Sequence, residues 1–316
     1  MTNTSLIINN HMAAGLDVIG DRWVLLILRD VFLGRSRFEE LRQHTGASRT
    51  TLTRRLSELL EADVLYKRCY STTANRFEYK LTEKGLGLFS SSLLAWQWEL
   101  EWSDHAGELL PISLFHNSCN HALTPTAVCR HCQQALSVND VKWPDIKTEL
   151  DEQIGDIKSF SKRRVRHSSK NGQEDLSLAT VSDLIGDRWT LLLLISAFLG
   201  IKRYDDFLRS LKIASNILTM RLNLLVDVNI LERVGYQENP PRSEYHLTEK
   251  GKSLFPLVMT MRQWVLDYLP KADSHEALIH KNCGHTLYVE VLCIDCHHKP
   301  WPRDVAFNKQ IMATQD

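Results

Sequence analysis

The chain has 316 residues, with 38 Lys plus Arg balanced by 38 Asp plus Glu. That length is long for one hydrophobic core and comfortable for two, and a formal charge of zero neither demands nor excludes a nucleic-acid partner, because groove binding depends on local clustering. The longest apolar run, Trp189 to Leu199, is far short of the roughly 20 residues of a membrane span, and no basic-then-apolar leader follows Met1, so the expectation is a soluble cytoplasmic protein with no membrane partner.

Residues 1 to 12 read as a polar arm, and a first helix is expected near Met12. Asp17-Val18-Ile19-Gly20-Asp21-Arg22-Trp23 then recurs 166 residues later as Asp183-Leu184-Ile185-Gly186-Asp187-Arg188-Trp189. Each copy opens a core helix. Asp21 can accept hydrogen bonds from the free first-turn amides, and Gly34 supplies a left-handed stop. Trp23, Leu26, Ile27, Asp30 and Val31 lie at helical spacing, with Leu25 and Leu28 on the flanks. The second copy repeats this with Trp189, Leu192, Leu193 and Ala197, and stops at Gly200.

A short helix is expected over Arg37 to His44, a turn at Gly46-Ala47-Ser48, and a helix from Arg49 to about Leu60 capped by Ser48. Leu52, Leu56, Leu59 and Leu60 form its apolar stripe, while Arg49, Thr50, Thr53, Arg54 and Ser57 face the other way. By itself an Arg-Thr face is a solvated helix surface. Here it follows a short helix and a Gly turn, which makes a helix-turn-helix, and it precedes Val64 to Tyr70 and Phe77 to Leu81, two β-rich runs around the polar tip Ser71 to Arg76. That hairpin reads as a wing, with Arg76 placed to reach phosphate or the minor groove. Thr82-Glu83-Lys84-Gly85 starts a long helix to about Trp102. It carries more apolar surface than one small domain covers, leaving packing on another subunit, on the second domain or on the domain's own first helix as alternatives.

Six of the seven cysteines fall into two matching clusters, which argues against a secreted disulfide framework. His116, Cys119, Cys129 and Cys132 recur, 164 residues on, as His280, Cys283, Cys293 and Cys296. A His-x-x-Cys and a Cys-x-x-Cys turn about ten residues apart suit a structural zinc, giving two sites; His121 and His285 compete with His116 and His280 for the fourth place, and reduced thiols without metal are the alternative. The glutamate and proline that a zinc deaminase needs are missing from both clusters, and no βαβ pattern supports a thioredoxin-like pair. Cys69, in a predicted wing strand, is assigned no role.

Pro144 to Asp175 reads as a solvated linker whose basic run, Lys158 to His167, could add phosphate contacts. In the second domain Asn216, Thr219 and Arg221 stand where the first has Thr50, Thr53 and Arg55. Met220 replaces Arg54, and Arg242 follows the stiff Asn239-Pro240-Pro241 wing.

The strings Leu16 to Trp23, Leu33-Gly34 with Arg37-Phe38 and Leu41, Leu52-Thr53-Arg54-Arg55-Leu56, and Tyr79-Lys80-Leu81-Thr82-Glu83-Lys84-Gly85 resemble the HxlR family of bacterial transcription regulators. The resemblance covers about residues 12 to 102 and recurs over about 178 to 268, through Leu218-Thr219-Met220-Arg221-Leu222 and Tyr245-His246-Leu247-Thr248-Glu249-Lys250-Gly251. It implies a winged-helix domain that dimerises through its terminal helices and binds operator DNA. Family members that sense redox state use a cysteine ten residues before the motif glycine; here those positions are Asn10 and Leu176, so thiol sensing there is not expected.

The resulting expectation is a mainly α protein with a small β component (α+β): tandem winged helix-turn-helix domains at 12–105 and 176–270, zinc-ribbon-like modules at 106–143 and 271–306, and a linker at 144–175. It would be a non-enzymatic, sequence-specific regulator of double-stranded DNA, working as a homodimer or an intramolecular pseudo-dimer. Arg49, Thr50, Thr53, Arg54, Arg76, Asn216, Thr219, Arg221 and Arg242 are its expected DNA contacts. The rival is a protein-interaction scaffold whose second winged helix has lost DNA binding.

Overall fold

The computed structural model describes residues 15, 17–71, 76–103, 113–143, 178–239, 241–269 and 277–308. The N-terminal arm, the first wing's tip at 72–75, the linker, Asn10 and Leu176 lie outside the described residues. Among the described residues no helix is long and apolar enough to cross a membrane.

Helix α1 (Arg22–Phe32) starts where Asp21 Oδ1 accepts the Trp23 N–H at 2.9 Å and ends before Gly34, whose φ of 85° is the left-handed stop. Val24, Leu26, Ile27, Leu28 and Val31 are buried, so the helix is enclosed on several sides. After it come α2 (Phe38–Thr45), the Gly46 turn, and α3 (Arg49–Glu61), where Ser48 Oγ accepts the Thr51 N–H at 3.1 Å. Strands β1 (Leu65–Ser71) and β2 (Arg76–Leu81) form the antiparallel wing, which is joined to the helices by the Tyr79 N–H donating to Ser36 O at 2.8 Å.

The single long helix expected after Thr82 is two: α4 (Glu83–Leu86) and α5 (Phe89–Trp102). Strands β3 (Ser113–His116), β4 (His121–Ala122), β5 (Pro125–Cys129) and β6 (Val141–Lys142) follow. The second repeat has α6 (Ala179–Ile185), α7 (Arg188–Phe198), α8 (Tyr204–Leu211), α9 (Ser215–Asp227), β7 (Leu231–Gln237), β8 (Arg242–Leu247), α10 (Glu249–Lys252) and α11 (Phe255–Tyr268). Both repeats break at the same place, and in the second Pro256, which has no N–H to donate, is accommodated in the first turn of α11. Strands β9 (Ile279–His280), β10 (Val289–Cys293) and β11 (Val305–Asn308) follow.

Two compact units result, and they do not follow the linear order of the repeats. The first winged helix lies in a unit drawn from Val18–Val128, Val165–Gly186 and Glu290–Asp316; the second lies in a unit drawn from Met1–Asp17, Cys129–Arg164 and Asp187–Val289. Each winged helix is therefore completed by segments of the opposite repeat.

In the first unit α5 packs on α1, with Phe32 and Phe89 ring centroids 5.1 Å apart, and on α6 from the second repeat. Its apolar surface is thus shared between the core helix of its own repeat and the second repeat. The Glu99 carboxylate accepts the N–H groups of Thr180 at 3.2 Å and Val181 at 2.8 Å, capping the start of α6, while Arg22 Nε stands 3.0 Å from Asp183. Strand β11 pairs antiparallel with β3, His116 opposite Val305.

The second unit repeats the exchange with other chemistry. Gly15 lies against Val265, so closely that an added Cβ would come within 2.2 Å of Val265 Cγ2, and Arg188 pairs with Asp17. Strand β6 pairs with β9, Val141 opposite His280. The contiguous zinc-ribbon-like modules expected at 106–143 and 271–306 are thereby corrected: each unit takes its strand partners from both regions, because the antiparallel ladders match β3 with β11 and β9 with β6.

Candidate nucleic-acid interface and metal centres

On α3 the apolar stripe turns Leu52, Leu56 and Leu59 into the core and leaves Arg49, Thr50, Thr53 and Arg54 exposed. Arg49 Nη2 meets Glu39 Oε1 at 2.5 Å and Arg54 Nη1 stands 3.8 Å from Glu58. Hydrogen bonding from Arg42, with Arg42 and Arg49 charge beside it, holds the Glu39 carboxyl below its ordinary range. Arg76 is exposed at the wing, opposite Ser71 across the ladder.

The α9 face is less charged. Ser215 takes the place of Arg49, and Met220, 48% exposed, that of Arg54. Asn216 and Thr219 are exposed but engaged locally: Asn216 Oδ1 accepts the Ile217 N–H at 2.9 Å, and Thr219 Oγ1 donates to Ser215 O at 2.9 Å and lies 3.0 Å from the Tyr204 hydroxyl. Arg242 is exposed opposite Gln237.

Arg221 is corrected. It is 8% exposed, and its Nη2 stands 2.6 Å from Asp187 Oδ2, as Arg55 Nη2 stands 2.5 Å from Asp21 Oδ2. Three residues after Leu218 on a helix is the inner face, and an arginine is long enough to carry its charge from there to a carboxylate. The aspartates also cap α1 and α7, Asp187 Oδ1 accepting the Thr190 N–H at 2.9 Å. Each pair ties the exposed helix to the start of its core helix. The signal was present in the stripes Leu52-Arg55-Leu56-Leu59 and Leu218-Arg221-Leu222-Leu225, where an arginine interrupts leucines in both repeats.

All eight predicted metal ligands lie in two clusters, but the grouping is crossed. His116 and Cys119 meet Cys293 and Cys296, and His280 and Cys283 meet Cys129 and Cys132, all ligand atoms in a cluster lying within 4.8 Å of one another. In the first cluster His116 Nδ1 is 3.3 Å from Cys119 Sγ and 3.4 Å from Cys296 Sγ, and Cys119 Sγ is 3.9 Å from Cys293 Sγ. In the second, His280 Nδ1 is 3.3 Å from Cys283 Sγ and 3.4 Å from Cys132 Sγ, and Cys129 Sγ is 3.9 Å from Cys283 Sγ. A tetrahedral zinc, with Zn–S near 2.3 Å and Zn–N near 2.0 Å, sets edges of about 3.8 Å for S···S and about 3.5 Å for S···N. The clusters fit that tetrahedron.

Tight turns aim the ligands. The N–H groups of Asn120 and Gly284 donate to the carbonyls of His116 and His280, and those of Gln133 and His297 to Cys129 and Cys293, every donor residue having φ between 56° and 71°. Burial, reinforced by the Cys296 and Cys293 thiols, pushes the Cys119 thiol up to about 11, a crowding of sulfurs that a bound cation would relieve. The competing histidines stand aside: His121 is exposed, and His285 stacks on His131 with centroids 3.4 Å apart.

A helix-turn-helix with an exposed polar second helix and a hairpin wing, present twice, defines a DNA-binding transcriptional regulator of the winged-helix class. The chain belongs to the HxlR-like helix-turn-helix family, which matches residues 18–106 and 184–273. It is 37% identical over 133 residues to an uncharacterized HTH-type transcriptional regulator of Mycobacterium tuberculosis (strain ATCC 25618 / H37Rv), covering 42% of this chain and 84% of that protein. It is 34% identical over 110 residues to the HTH-type regulator YdeP of Bacillus subtilis (strain 168), covering 34% and 86%. Among solved structures, the reduced form of the B. subtilis transcriptional regulator YodB is similar, at 29% identity with a TM-score of 0.28, over 30% of this chain and 95% of that one.

Proposed function

We propose that α3 is the principal recognition helix, with Arg49, Thr50, Thr53 and Arg54 at base edges and adjoining phosphates in the major groove, and that Arg76 and Arg242 hold backbone phosphate. The observation that carries this reading is the exposed cationic face of α3. Its ion pairs with Glu39 and Glu58 are between exposed, solvent-screened groups, so phosphate can displace the carboxylates at little cost. Asn216 and Thr219 on α9 make a weaker contact, since Ser215 and Met220 remove two cations and the remaining polar groups are spent locally. The protein acts in the cytoplasm by binding, without catalysis, and one chain reads two unlike half-sites. The scaffold reading draws its support from Met220 and the self-satisfied α9 face, and only for the second domain.

Each Cys3His set is further proposed to hold a structural zinc: four protein ligands complete the shell and leave no open position for chemistry.

The test is selection of bound duplexes from a random pool by the intact chain, followed by footprinting. The expected site has one strongly specified half and one weak half. A long, fully symmetric site protected by a dimer of whole chains would overturn the one-chain reading.

A further inference from the structure

We infer that the two metal ions are crossed clasps, each binding the His-x-x-Cys turn of one repeat and the Cys-x-x-Cys turn of the other, so that metal locks the exchanged segments in place. This rests on the zinc reading and goes beyond it, because spacing alone allows either pairing. Within each repeat the two turns are about ten residues apart, and four ligands from one repeat would close a shell equally well. The geometry instead puts Cys119 Sγ 3.9 Å from Cys293 Sγ and Cys129 Sγ 3.9 Å from Cys283 Sγ.

Backbone pairing supports the crossing independently of the sulfurs. The first turn follows β3, whose ladder partner is β11, and the Asn117 N–H donates to Asp304 O at 2.9 Å. The other turn follows β9, whose partner is β6, and Lys281 reaches back through its N–H to Asp140 O at 2.7 Å and its Nζ to Asn139 O at 2.7 Å. These bonds hold each His-x-x-Cys turn to the opposite repeat.

Occupation involves no redox change: three thiols per site each release a proton to solvent, the thiolates and the histidine Nδ1 donate to the cation, and the bonds formed are three Zn–S and one Zn–N. Since each ion spans both repeats, loss of one loosens both.

The test is metal content of the full-length chain, purified without chelator, checked by the charge-transfer and d–d bands of the cobalt(II)-substituted protein. The unaltered chain should hold two ions. Cys119→Ser with Cys296→Ser disables one crossed site and should leave one ion, whereas Cys119→Ser with Cys129→Ser disables both and should leave none. The opposite pattern, none for the first pair and one for the second, would overturn the crossing while keeping zinc. An unaltered chain with no metal would overturn the zinc reading itself. Should a variant fail to fold, the unaltered chain can be stripped of metal and oxidised with diamide, which accepts two electrons and two protons per disulfide. Peptide mapping should find Cys119 joined to Cys293 or Cys296; Cys119 joined to Cys129 or Cys132 would overturn the crossing.

Discussion

The Nη2 atom of Arg55 stands 2.5 Å from Oδ2 of Asp21, whose other carboxylate oxygen accepts the Trp23 N–H that opens α1. One aspartate thus caps the core helix and ties α3 to its start. Its partner's side chain is 8% exposed and also meets Glu58 at 2.6 Å, so losing Arg55 takes the cation from two carboxylates, one of them the partly buried Asp21. Arg55→Ala should destabilise the chain by about 3 kcal/mol in urea unfolding, and an Asp21→Ala, Arg55→Ala cycle should show strong coupling. Additive losses would mean that the pair does not act as a unit.

Arg54, one residue earlier, points the other way, and its side chain is 57% exposed. Arg54→Ala should leave urea stability within about 0.5 kcal/mol of the parent and weaken binding to a selected site by about 1–3 kcal/mol. Met220→Arg should restore a cation to α9 and steepen the salt dependence of binding by about one phosphate contact. Titrations at several salt concentrations check both. Unchanged affinity in a folded Arg54→Ala variant would remove α3 from the interface.

Glu99 gives a pH dependence of defined sign. Burial raises its carboxyl above the ordinary 4.5, against the pull of the Val181 and Thr180 amides, and Asp183 raises it further. A carboxyl raised in the folded state binds its proton more tightly there than in the unfolded chain. Its contribution to stability is full below about pH 4.5 and is lost as pH climbs through the folded value. Relative to Glu99→Gln, the parent should therefore lose stability as pH rises above 4.5, at no more than about 1.4 kcal/mol per pH unit. Parallel stability curves from pH 4 to 8 would contradict this.

Gly15 and Val265 form the corresponding contact in the other unit, and the two contacts are not interchangeable. Offset by 166 residues, Gly15 corresponds to Val181 and Val265 to Glu99, so one unit joins a small residue to a branched one and the other joins amides to a carboxylate. Gly15→Ala should cost about 1–3 kcal/mol by overpacking, and Val265→Ala in the same chain should recover part of that loss. Equal costs of Gly15→Ala with and without Val265→Ala would show that the two residues do not meet.

Much of the fold is legible in the sequence, because its determinants are local. Period-3.6 stripes, Asp21 and Ser48 as caps, Gly34 as a left-handed stop, the Gly46 turn, and the β-branched runs on either side of the wing each act within a few residues, and the 166-residue repeat writes the frame twice. The eight metal ligands are legible for the same reason, since a ligand-x-x-ligand turn is local chemistry. The partnering of those turns belongs to the tertiary structure: both pairings use the same two kinds of turn, and the crossed one joins cysteines 174 and 154 residues apart, brought together where the ladders β3–β11 and β6–β9 form. The direction of Arg221 was likewise decided by distance in space. Its charge reads as a DNA contact until Asp187, thirty-four residues upstream, is found 2.6 Å away, and a buried guanidinium beside a carboxylate is held by that carboxylate.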